Sequence, residues 1–72
     1  MAINEMVLHI ILEHGVKQKW VAEQMNRDNP TLAMNRNKMS AIIGGNRKMS
    51  GEEFISFCRV MRVNPDVFME AE

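Results

Sequence analysis

The sequence predicts an all-helical, compact bundle of about five short helices. Apolar residues recur at spacings of three and four along most of the chain instead of alternating. No Asn-Gly or Asp-Gly turn joins two β-branched runs, so nothing marks a hairpin. The apolar runs also break at residues that cap or stop helices, namely Gly15, Asn35, Gly44-Gly45, Ser50 and Asn64-Pro65. With 72 residues, 46% apolar and 25% charged, the chain is expected to fold as one unit over residues 4–69, with short termini at 1–3 and 70–72.

In the first segment Asn4 is the expected cap, Val7, Leu8, Ile10, Ile11 and Leu12 supply a broad apolar stripe, and Gly15 stands where a left-handed residue ends a helix. Lys17 to Met25 forms the next, with Val21 and Met25 four apart and small Ala22 allowing close helix approach. Asn26 to Met34 (NRDNPTLAM) reads as a polar link, within which Thr31 to Met34 is compatible with one helical turn. Asn35 caps a third helix, RNKMSAII, which Gly44-Gly45 stops. The strongest start signal is Ser50-Gly51-Glu52-Glu53, a capping box in which Ser50 and Glu53 satisfy each other's backbone N–H. Phe54, Phe57, Cys58 and Met61 then share the core-facing side, Cys58 acting as a small hydrophobe. Asn64-Pro65-Asp66 begins a fifth helix whose Val67 and Phe68 are expected to pack back on the bundle.

Several functional classes are excluded by composition. One cysteine forms no intramolecular disulfide, and with His9 and His14 far from it there is no metal-ligand spacing, so neither metal nor cofactor is expected. Paired catalytic carboxylates, an activated nucleophile and a Gly-rich phosphate loop are likewise missing, which argues against an enzyme. The apolar stretch Met6–Leu12 lacks a basic leader and falls well short of the roughly 20 residues of a membrane span. A cytoplasmic chain with no membrane partner is the expectation. Formal net charge is zero, but it is unevenly spread. Residues 16–48 hold seven basic residues against two acidic, giving +5, and the remainder holds two against seven, giving −5. That asymmetry fits one basic face turned toward a polyanion. Arg59 and Arg62 read as surface or salt-bridging residues, and Trp20 as a cover for the link or a protein contact.

Three blocks occur in order: GVKQKWVA from Gly15 to Ala22, NRNKMSAIIGG from Asn35 to Gly45, and MSGEEF leading to MRVNPDVF. Together they resemble the Cro/C1-type, lambda-repressor-like helix-turn-helix family of bacterial and phage DNA-binding proteins, over about Val7 to Phe68. The GVKQKWVA block resembles the opening of that family's second helix. The NRNKMSAIIGG block resembles its recognition helix, about residues 35–43, with Met39, Ser40 and Ile42 in the matching apolar, serine and apolar positions. Three features depart from the pattern. The connection before Met34 is about seven residues longer than the family's tight turn. Lys17 replaces the usual Ser/Thr cap, and Ile43 stands where an acidic or polar residue is common.

The resemblance implies a third helix lying in the major groove, with Arg36, Asn37 and Ala41 toward base edges. It implies backbone contacts from Gln18, which the neighbouring cations Lys17, Lys19, Lys38, Arg47 and Lys48 would extend. The expected function is a small phage- or prophage-type transcriptional repressor acting by promoter occupancy. Its expected partners are double-stranded DNA, as an imperfect palindrome, and a second copy of itself, with no small-molecule ligand. The competing expectation is a protein-interaction module of the same fold, such as an antitoxin or phage accessory factor.

Overall fold

Gly15 has φ 67° and ψ 28°, the left-handed conformation that ends the first helix as its sequence position demands. The computed structural model describes residues 2–70, and their side chains as far as Phe68. Met1 and residues 71–72, expected to belong to the termini, lie outside the described residues. The chain forms α1 (Ile3–His14), α2 (Gln18–Asp28), α3 (Arg36–Ile43) and α4 (Gly51–Met61). Two 3₁₀ turns, Pro30–Leu32 and Pro65–Glu70, complete the order, and no strand occurs among the described residues. The expected fifth helix is therefore the second 3₁₀ turn, a tighter winding common in short terminal pieces.

Helix α1 starts two residues earlier than expected and is not capped by Asn4. Ala2 holds the cap position but carries no acceptor, and Glu5 accepts from the Ala2 N–H at 3.0 Å. Asn4 is thereby free to point sideways, and its amide donates to the Ile43 carbonyl at 3.1 Å, tying the start of α1 to the end of α3. The stripe of α1 is also narrower than its sequence suggests. Val7, Ile10 and Ile11 are buried, Leu8 is half-buried and Leu12 is exposed.

Helix α2 continues three residues past Met25 because its last turn finds tertiary partners. Asn26 bonds across the link to Met34, and Asp28 pairs with Arg59 of α4 in two bonds of 2.9 and 2.8 Å. Within the link, Asn29 caps the 3₁₀ turn by accepting from the Thr31 N–H and hydroxyl at 3.2 and 2.6 Å. Leu32 and Met34 insert into the core, so the extra residues are anchored and do not form an open loop.

The core takes Val21, Ala22 and Met25 from α2, Met39 and Ile42 from α3, and Phe57, Cys58 and Met61 from α4. Helix α2 packs on α3, on α4 and on the link, while α1 packs on α3 and α4. Ser50 forms both halves of its capping box, with bonds of 2.9 and 3.2 Å to and from Glu53. Phe54 is half-buried and meets Phe68 edge to face, with centroids 4.8 Å apart and planes at 79°. Phe68 packs back as expected, whereas Val67 remains 40% exposed, since the tight winding after Pro65 turns only one of the two inward.

Candidate nucleic-acid interface

Helices α1 and α3 run in opposite directions where they meet. Asn4 at the start of α1 touches Ile43 at the end of α3, and at the other end Leu8, Ile11 and Leu12 share a cleft with Arg36 at the start of α3. That open cleft, of about 550 Å³, also takes Val16, Lys17, Gln18 and Lys19 from the beginning of α2. The turn at Gly15 is what places the first residues of α2 beside the first residue of α3.

Lys17, Lys19 and Arg36 are exposed, and among the described residues none of their side chains has a carboxylate or hydrogen-bonding partner. The N-terminal ends of α2 and α3 both lie here, so their peptide dipoles add positive potential to that of the three side chains. Lys17 occupies the cap position of α2 without a side-chain bond, leaving the first backbone N–H groups of that helix uncapped. Asn35 caps α3 by accepting from the Lys38 N–H at 2.8 Å.

Gln18 accepts from the Ser40 hydroxyl at 3.0 Å. This bond joins α2 to α3 and engages the amide oxygen, so the two N–H donors of Gln18 are left for an acceptor. Asn37 is exposed next to Arg36, and Ala41 lies one turn further along α3 with its methyl half-buried.

Three residues expected to contact phosphate do not line this cleft. Lys38 folds its ammonium onto the Ala33 carbonyl at 3.0 Å and the Leu32 carbonyl at 3.5 Å, closing the link from below. Arg47 makes a two-pronged bond to Glu53 at 2.9 and 2.7 Å, and Glu53 is only 3% exposed. The Arg47 guanidinium holds the Glu53 carboxyl below its usual range, against a burial cost that acts in the opposite direction. Arg47 is thus tied up in supporting the start of α4. Lys48 is exposed but lines a second, apolar groove beside Ile3 and Asn4, at the opposite end of the α1–α3 pair.

Sequence spacing does not single out Ser40 as the partner of Gln18, Asn26 as the clasp of the link, or Glu53 as the partner of Arg47. Only the last pair leaves a local signal, an arginine six residues ahead of a capping-box glutamate.

Among the described residues no helix is long and apolar enough to cross a membrane, and no group of three His, Cys, Asp or Glu side chains could hold a metal ion. Comparison with protein-family models, with curated proteins and with solved structures finds no match for this chain.

Proposed function

We propose that this chain is a lambda-repressor-like helix-turn-helix protein that binds double-stranded DNA by sequence, with α3 in the major groove, and represses by occupying promoters. The observation that carries the reading is the convergence of unpaired Lys17, Lys19 and Arg36, with the free amide donors of Gln18, on one cleft where α2 and α3 begin. Cations at the mouth of a short helix with one exposed side suit the phosphates that flank a groove, and the major groove alone distinguishes all four base pairs. Arg36 is assigned to guanine through a two-pronged contact and Asn37 to adenine, each supplying about 1–3 kcal/mol of discrimination. Ala41 offers a methyl to thymine. Lys17, Gln18 and Lys19 hold the backbone and set the register. Operators are imperfect palindromes read by two copies, and no catalytic group or cofactor takes part.

The test is selection of the purified protein from a randomised duplex pool, with the Arg36→Ala/Asn37→Ala double variant run in parallel. An enriched motif that the double variant loses or relaxes is the expected result. Absence of enrichment by a folded protein at low salt would overturn the reading and favour the protein-interaction module instead.

A further inference from the structure

We infer that the cationic cleft where α2 and α3 begin also takes a small amphiphilic anion, a single-chain carboxylate of the fatty-acid type, and that this ligand and DNA exclude each other. Polarity in the cleft is divided by element. Its apolar wall comes from Leu8, Ile11 and Leu12 of α1 and from Val16, whereas its cations, Lys17, Lys19 and Arg36, stand at the starts of α2 and α3. Among the described residues no acidic side chain lines it.

DNA accounts for only one of these halves. Phosphates match the three cations, but a phosphodiester backbone has no apolar body to cover Leu12, which is 67% exposed, or the half-buried Leu8 and Val16. A ligand with an anionic head and an apolar chain covers both, its chain lying along the α1 wall and its head among the cations. The Arg36 guanidinium offers a carboxylate two parallel N–H bonds, and Lys17 and Lys19 add charge. None of these three side chains is engaged within the fold, so the head displaces no partner.

Shape favours a free molecule over a bilayer surface. The cleft, of about 550 Å³, falls within the span of small-molecule sites, about 300–1,000 Å³. A bilayer takes up a face of protruding apolar side chains, whereas here Ile11 is buried, Leu8 and Val16 are half-buried, and of the apolar lining only Leu12 stands out. Bound in the cleft, the carboxylate engages the same Arg36 and lysines that are assigned to guanine and phosphate. It therefore lowers the affinity for DNA, and DNA lowers the affinity for the ligand by the same factor. This last step rests on the DNA-binding reading; the ligand site does not.

Titration of the full chain with decanoate below its micelle-forming concentration, followed through amide chemical shifts, tests the inference. Saturable binding is expected, with shifts clustered at the end of α1 and the starts of α2 and α3. Decanol, the same chain without the charge, and acetate, the charge without the chain, should each bind at least about tenfold more weakly. Decanoate should lose affinity by a similar factor in Leu12→Gln and in Arg36→Gln, both at exposed positions, with unchanged circular dichroism. No saturable decanoate binding, binding indifferent to both variants, or binding to phosphatidylglycerol vesicles without binding of free decanoate would overturn it. Anisotropy of a labelled duplex carrying the selected motif separates the two readings. Decanoate should release DNA from the wild-type chain and do so at least about tenfold less readily from Leu12→Gln, and decanoate bound alongside DNA would overturn the exclusion. A chain that binds decanoate but no duplex keeps the ligand site and loses only the DNA-binding reading; one that binds duplex but no decanoate loses the ligand site alone.

Discussion

The side-chain amide of Asn26 engages both backbone groups of Met34, donating to its carbonyl at 2.5 Å and accepting from its N–H at 2.6 Å. One side chain eight residues away thus does for Met34 what a neighbouring strand would do. The pair closes the base of the α2–α3 link just before Asn35, so a connection longer than a tight turn still delivers α3 in a fixed position.

Asn26→Ala should therefore destabilise by about 1–3 kcal/mol, since two part-buried backbone groups lose their partners. Asn26→Asp should cost at least as much, because a carboxylate keeps the bond from the N–H but faces the carbonyl with another acceptor. Urea unfolding followed by circular dichroism checks both, through a lower midpoint at unchanged slope.

Acid should unfold the protein partly through Glu53. Its carboxyl is held below the ordinary value of 4.5, first by the Arg47 hydrogen bonds and then by the Ser50 N–H, so the unfolded chain binds this proton at higher pH than the folded one. The stability it contributes is complete above about pH 4.5 and is lost as pH falls through the lowered folded value. Glu53→Gln should reduce stability at pH 7 and flatten the acid limb. Asp28 is also lowered, by Arg59 and then Ser56, but its more exposed pair should matter less, so Asp28→Asn should change the acid limb only slightly.

Two helix ends should respond oppositely to glycine chemistry. Arg62 ends α4 at φ 55°, a conformation costing a non-glycine residue about 1–2 kcal/mol. Arg62→Gly should raise stability by about 0.5 kcal/mol, the remainder being offset by the greater freedom of glycine in the unfolded chain. At Gly15 an added Cβ would meet no heavy atom within 4 Å, so Gly15→Ala should lose about 1 kcal/mol through backbone strain alone. Thermal melts of the two variants measure both changes.

Salt dependence separates the cations of the cleft from those engaged within the fold. If Lys17 and Lys19 each neutralise one phosphate, alanine at either should reduce the slope of log K against log salt by about 0.9. Lys38 bonds the link carbonyls and Arg47 bonds Glu53, so their alanine variants should lower the melting temperature more than they change that slope. Fluorescence anisotropy over a salt series, beside thermal melts, distinguishes the two groups.

Features that depend on neighbours within about one helical turn are legible in the sequence. Asn35 and Ser50 cap where expected, Gly15 stops α1, and the core stripe of α4 lies where its spacing puts it, because each needs partners only three or four residues away. Residues with distant partners are not legible in this way. Asn4 reads as a cap but serves a carbonyl 39 residues on, Arg47 reads as a free cation but holds Glu53, and Asn26 reads as the start of a loop but clasps its far end. Polar side chains with several equally good local roles carry no mark of which one tertiary contacts will select. The cationic cleft is present in the sequence as a set of basic residues, yet only folding sorts Lys17, Lys19 and Arg36 from Lys38, Arg47 and Lys48.

Helix α2 packs on α3, on α4 and on the link, and its Val21, Ala22 and Met25 are almost wholly buried between them. A helix shared in this way cannot detach while the others stay in place, so opening of α2 is opening of the whole molecule. Its mid-helix amides should exchange with deuterium only through global unfolding, with one common free energy of opening, while those at the start of α1 exchange through local fraying. The protein then has no half-open state in which α2, with the Gln18 and Lys19 side of the cleft, is lost and the remainder persists.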